Sequence, residues 1–156
     1  HAGARRRERA AKTGGLAKVA ARCYRIKDGK GQVCIVTTRN TGRWMLPRGW
    51  PTHKRTAHEG AAIEAYEEAG VRGRVFADAV GTYAYDKPLD VGIAPVLVVV
   101  YAIRAAKVAK TWPEKDQRKR KWLPPKKAAA KLTEPGLKQI VANFDPSRLD
   151  IAPPVQ

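Results

Sequence analysis

The segment from Ile93 to Ile103 is apolar at every one of its eleven positions and rich in valine. A membrane-spanning helix needs about 20 such residues, so this run is too short to be one. Its β-branched residues predict a strand over 95–104, and a strand with no polar alternation must be covered on both faces. A sheet covered on both faces lies between other layers, which points to an α/β fold with a mixed sheet and few helices. The rest of the chain supplies those layers. Residues 19–26 and 32–38 read as a hairpin around the turn formers Lys27 to Gly31. Arg43 to Leu46 reads as a short strand ended by Pro47 and Gly49, and 74–85 and 118–123 as further strands. Two helices are expected near 125–132 and 135–143, the second with Pro135 in its first turn. At 156 residues the chain suits a single domain.

Charge narrows the partners. The chain has 31 Lys and Arg against 14 Asp and Glu, net +17. Residues 1–30 carry ten basic and two acidic groups and residues 104–131 eleven and two, whereas 31–103 carry eight and seven. Two basic blocks thus flank a nearly neutral centre, a distribution that attracts polyanions. The first block opens with Arg5, Arg6, Arg7 and Arg9 without apolar periodicity, so 1–16 is expected to be a mobile basic arm and 146–156 a loose Pro-rich tail. The first twenty residues hold no apolar stretch, so no secretory signal is expected. Cys23 and Cys34 sit in strand-like surroundings and read as buried thiols of a reducing compartment, hence a cytoplasmic protein with no membrane attachment.

The strongest local signal is Thr56 to Gly70. Thr56 followed three residues on by Glu59 is a capping box, the alanines that follow favour helix, and Gly70 provides a left-handed stop. At about 100° per residue, Ala62, Ala65, Tyr66 and Ala69 are expected on the core side. Glu64, Glu67 and Glu68 share a separate arc about 100° wide. No lysine or arginine between 56 and 71 relieves their repulsion, in a chain that is otherwise rich in both. A solvated acidic face accounts for this pattern, and so does a hard cation, because Mg²⁺ or Mn²⁺ accepts carboxylate oxygens.

The helix follows Trp44-Met45-Leu46-Pro47-Arg48-Gly49-Trp50-Pro51, a strand running into a Gly/Pro loop. Together, Gly49, Glu64, Ala65, Glu67, Glu68, Gly70 and Val71 resemble the loop–helix–loop signature of the Nudix hydrolases. Two landmarks of that signature are replaced: its first glutamate falls on Arg55, and the arginine before its central glutamate on Ile63. In the family those two residues help hold and orient the catalytic carboxylates. The loop 46–51, the stretch Glu64 to Val71, and Trp112-Pro113-Glu114 followed by Arg118-Lys119-Arg120-Lys121-Trp122 look most like the diphosphoinositol polyphosphate phosphohydrolases. Relatives with similar loops also cut dinucleoside polyphosphates.

The resemblance implies an α/β/α sandwich over 17–145 and metal-dependent cleavage of a pyrophosphate by water. It implies that Glu64, Glu67 and Glu68 are catalytic and ligate Mg²⁺ or Mn²⁺, with a backbone carbonyl at Arg48 or Gly49. One of these glutamates, or Glu114, takes the proton of the attacking water. Around them, Arg43, Arg48, His53, Lys54, Arg55, Arg118 and Arg120 are candidates to bind substrate phosphates, with Arg22, Arg25 and Lys27 as further candidates. His58 reads as a first-turn surface residue, and Trp44, Trp122 and Val96 to Val100 as core. The expected partner is a polyphosphorylated small molecule. A second reading is a basic nucleic-acid-binding module on a weakened Nudix scaffold. Aromatic residues are only 7% and do not interleave with the basic runs, so charge alone would serve it, without sequence specificity.

Overall fold

The computed structural model of the chain describes residues 17–145; the expected basic arm and Pro-rich tail lie outside them. In chain order the elements are β1 (Lys18–Lys27), β2 (Lys30–Thr37), β3 (Trp44–Met45), β4 (Arg48–Gly49), α1 (Ala57–Ala69), β5 (Val71–Val75), β6 (Gly81–Pro88) and β7 (Ile93–Val108). A 3-10 turn at Lys115–Gln117, β8 (Arg120–Leu123), α2 (Pro125–Lys131) and α3 (Pro135–Ala142) follow. β1 and β2 form the expected hairpin. Its turn is closed by Asp28 and Gly29, both at positive φ (53° and 76°), the twist that suits a two-residue connection.

The sheet runs β3-β2-β1-β7-β5, with β4 on β1, β6 on β7 and β8 on β2. β1 and β7 are parallel, from Lys18 opposite Val98 to Tyr24 opposite Arg104, and the other strand-to-strand pairings are antiparallel. The sheet is therefore mixed and covered on both sides. Val19, Ala21, Cys23, Tyr101 and Ile103 pack with Ala61, Ala65 and Ala69 of α1. Ala20, Tyr24, Val98, Val100 and Ala102 pack with Ala128, Leu137 and Val141 on the opposite face. Among the described residues no helix is long and apolar enough to cross a membrane.

The structure corrects three expectations. The apolar strand runs to Val108, and it is covered on both faces only in its middle: Ile93 is 67% exposed and Leu97 48%. Those residues extend beyond the helices, as part of the β6–β7 hairpin. Residues 74–85 are not one strand. β5 ends at Val75 opposite Ile103 and β6 begins at Gly81 opposite Val100, so five residues face two on β7. Phe76 turns into the core and donates its N–H to Ala102, while Ala77, Asp78 and Ala79 bulge into water. Helix α1, finally, is rotated from its expected setting. Its buried residues are Ala61, Glu64, Ala65, Glu68 and Ala69, leaving Ala62 and Tyr66 half-buried, with the Arg72 guanidinium 3.8 Å from the Tyr66 ring centre.

Candidate active site

Helix α1 starts as its sequence dictates. The Thr56 hydroxyl accepts from the Glu59 N–H, and the Glu59 carboxylate accepts from the Thr56 N–H at 3.0 Å. Such a cap contributes about 1 kcal/mol. The rotation of the helix carries Glu64 and Glu68, one turn apart, into the crease between the sheet and the loop that holds β4. They are 5% and 4% exposed. Room for them comes from Gly49: a Cβ there would lie 2.5 Å from Oε1 of Glu64. The Arg48 N–H donates to Oε1 of Glu68 at 3.3 Å. Burial first, then the charges of Glu64 and Glu114, push the Glu68 carboxyl up to about 8 against the opposing pull of Arg118. Glu67 is half-buried, further round the helix toward solvent.

The far end of α1 is clamped by the segment 109–120. Gly70 closes the helix at φ 69°, and a Cβ there would meet the Trp112 ring at 2.9 Å, so both backbone and packing require glycine. Nε1 of Trp112 donates to the Glu68 carbonyl at 3.0 Å, and the Glu114 N–H to the Glu67 carbonyl at 3.0 Å. Arg120 donates to the carbonyls of Ala69 (2.7 Å) and Ala109 (3.0 Å) while stacking on Trp112 at 4.0 Å. The last turn of α1 carries no basic residue of its own, so Arg120 supplies the cation that the negative end of the helix dipole favours. Arg118 bonds Glu114 at 2.8 Å, donates to the Thr37 carbonyl at 2.9 Å, and sets Nη2 3.5 Å from Oε2 of Glu68.

The structure thus gives three of the expected phosphate-binding arginines internal partners. Arg118 and Arg120 hold the C-terminal end of α1. Arg48 points from β4 toward α3, pairing with Glu134 and donating to the Tyr83 hydroxyl, both at 2.8 Å, with the Tyr85 ring 4.1 Å away. Burial opposes its charge, but Tyr83, Glu134 and Tyr85 outweigh it and hold the guanidinium protonated. An arginine drawn even partly out of water needs partners, and in these three places the protein provides them. Arg43, His53, Lys54 and Arg55 are exposed, the last three on the turn that leads into α1. Arg43 lines a cavity of about 470 Å³ with Tyr85, Lys87 and Glu134. Arg55 lies 3.9 Å from Glu59 and lines a cavity with Ile63 and Arg74. By helical spacing that is the arc of α1 opposite Glu64 and Glu68. His58 reaches the Thr56 hydroxyl. Arg25 bonds Gln32 and stacks on Trp122, and Lys27 is exposed at the hairpin end.

Two features escaped the sequence. Nζ of Lys18 donates to the Tyr85 hydroxyl at 2.7 Å and lies between the Trp50 and Tyr85 rings, 5.3 and 5.4 Å from their centres. These residues meet only because β1 runs beside both β4 and β7, and β6 pairs with β7. The alternation of Tyr83 and Tyr85 was the available hint. The second is the Arg48–Glu134 brace, whose partners stand 86 positions apart.

The donor set suits a hard divalent cation. Glu64 and Glu68 are buried carboxyl groups one helical turn apart, Glu64 lying where Gly49 leaves space for its oxygens and Glu68 against the Arg48 N–H. Among the described residues no three acidic, histidine or cysteine side chains are already drawn to ligand spacing, and Glu67 is the least buried of the three glutamates.

The NUDIX domain family model matches residues 16–144. Nudix hydrolase 16, mitochondrial, of Arabidopsis thaliana is 32% identical over 124 residues, covering 72% of this chain and 67% of that protein. Nudix hydrolase 13, mitochondrial, of the same plant is 29% identical over 107 residues, 65% of this chain and 53% of its own length. The chain therefore spans between half and two thirds of these relatives. Among solved structures, a C. elegans Ap4A hydrolase binary complex superposes with a TM-score of 0.65 at 13% identity, over 88% of this chain and 100% of that one. The NUDIX domain of Shewanella oneidensis NrtR complexed with ADP ribose gives 0.63 at 19%, over 86% and 88%. At such identities the superpositions show the fold.

Proposed function

The chain belongs to the NUDIX domain family and is a hydrolase acting on phosphoric anhydrides, and from that premise we propose that it cleaves a diphosphate in a highly phosphorylated small molecule, diphosphoinositol polyphosphate foremost. The observation that carries this reading is the buried Glu64–Glu68 pair facing Gly49. Glu64, Glu67 and Glu68, with the Gly49 carbonyl, would hold Mg²⁺ or Mn²⁺. Bound there, the metal supplies neutralisation of the diphosphate oxygens and a water acidified enough to attack phosphorus. Arg118 keeps Glu68 oriented, and Glu114 is tied to Arg118 rather than left to rotate. Burial holds the Glu68 carboxyl above the usual carboxylate range, so a cation held there would compete with its proton. The exposed Arg43, His53 and Lys54 are groups that could meet an anionic substrate from outside, whereas Arg55 lines the arc of α1 turned away from Glu64 and Glu68. Two free thiols, both buried, are in keeping with a reducing, cytoplasmic setting.

A specific observation favours a second substrate class. The Trp50 and Tyr85 rings flanking Lys18 offer a stacking surface beside a cation, which suits a dinucleoside polyphosphate. A turnover panel of diphosphoinositol polyphosphates, dinucleoside polyphosphates and nucleotide sugars with Mg²⁺ and Mn²⁺ decides between them. Metal-dependent turnover led by the inositol compounds, and abolished in a folded Glu68→Gln variant, is expected. Tight RNA binding with no turnover of any pyrophosphate would instead establish the nucleic-acid module.

A further inference from the structure

The face of the sheet opposite α1 carries a second polar site. Arg22 lies mid-strand in β1, between buried Ala21 and Cys23, and pleat alternation turns it toward α3. It is 6% exposed. A guanidinium carries five N–H donors and a charge it does not readily shed. Here Nη1 donates to the Ile140 carbonyl at 2.8 Å, while Nε is buried without a partner. The Phe144 ring lies 5.0 Å away, and among the described residues no carboxylate pairs with Arg22. The other buried arginines differ: Arg48 has Glu134, and Arg118 has Glu68 and Glu114. Burial lowers the Arg22 guanidinium to about 10, as it does for a cation lacking a counterion.

Arg22 lines a cavity of about 500 Å³ together with Thr82 of β6, Gln139 and Ile140 of α3, and Asn143 and Asp145 just beyond it. This volume accommodates a small ligand. Thr82, Gln139 and Asn143 add neutral hydrogen-bonding groups. Asp145 at the rim is acidic and opposes a highly charged anion such as a polyphosphate more than a singly charged one. Glu64 and Glu68 belong to the other face of the sheet, so this is not an extension of the candidate catalytic crease.

We infer that the cavity between β1, β6 and α3 is a second binding site, for a small molecule that docks a phosphate or carboxylate on Arg22 and hydroxyl groups on Thr82, Gln139 and Asn143. Such a ligand would give Arg22 an anionic partner that no carboxylate provides among the described residues.

The test uses the full chain with chelator present, so that no metal recruits phosphate to the carboxylates. Inorganic phosphate, acetate and chloride are titrated at matched ionic strength, following thermal midpoint and amide chemical shifts. Phosphate or acetate, unlike chloride, should raise the midpoint and move the amides of Thr82, Ile140 and Asn143; the two arms tell a phosphate site from a carboxylate site. Arg22→Met should weaken this binding by about tenfold or more. Without anion it should unfold no earlier than the parent chain, since an uncompensated charge has left the interior. Asn143→Phe, at an exposed position, retains Arg22 while obstructing the mouth and should also lose the response. That second variant keeps the test decisive if Arg22→Met does not fold. No anion-specific response, a response undiminished in either folded variant, or shifts confined to Glu64 to Gly70 would overturn the inference.

Discussion

Nη2 of Arg118 lies 3.5 Å from Oε2 of Glu68, so the cation that steadies this carboxylate comes from the segment entering β8 and not from α1 itself. The position on α1 where the family signature has its arginine is Ile63, which faces a cavity on the opposite arc. Arg118 is 7% exposed and bonded on three sides, which makes it a positioning residue. Replacing it with Met should raise the metal concentration needed for half-maximal turnover by about 10–100-fold, the usual range for partners of metal ligands. Circular dichroism should stay native, and Arg118→Lys should restore part of the loss. Metal titrations identical to those of the parent chain would remove this role.

Gly49→Ala places a methyl group 2.5 Å from the Glu64 carboxylate, which must then swing away. Turnover should fall by about 100-fold or more, the loss that a displacement of about 1 Å can cause, while stability falls by about 1–3 kcal/mol through overpacking. Rate measurements beside urea unfolding separate the two effects.

Gly70→Ala meets a double penalty, a φ of 69° and a Trp112 ring 2.9 Å from the new carbon. A loss of about 1–3 kcal/mol is expected from the strained backbone alone. Gly70→Ala combined with Trp112→Ala should lose less than the sum of the single changes, because the clash is then gone. Chemical denaturation of the four chains measures the coupling.

The two thiols set a pH dependence. Cys34 is pushed from its ordinary 9.0 to about 12 by burial, against the pull of Arg120 and Arg25, and burial raises Cys23 well above 9.0 too. The folded chain therefore keeps protons that the unfolded chain releases. Their contribution is whole below pH 9 and declines as pH rises toward 12, by up to about 1.4 kcal/mol per pH unit for each thiol. Urea unfolding from pH 8 to 10.5 should show this slope, reduced in Cys34→Ala.

The hairpin at Asp28–Gly29, the capping box of α1 and its Gly70 stop were all readable from the chain, because each depends on residues within a few positions of one another. So were the layers, since an apolar strand requires cover wherever it lies. What the tertiary structure decided was the use of the cations and the rotation of α1. Arg48 finds Glu134 86 positions away and Arg120 finds Ala69 51 away, turning expected phosphate contacts into internal braces. The helical pattern put Ala62 and Tyr66 inward, but the space beside Gly49 and the clamp from Trp112, Arg118 and Arg120 turned Glu64 and Glu68 there instead. A local pattern records which side chains share an arc; which of them is buried depends on what the rest of the chain packs against it.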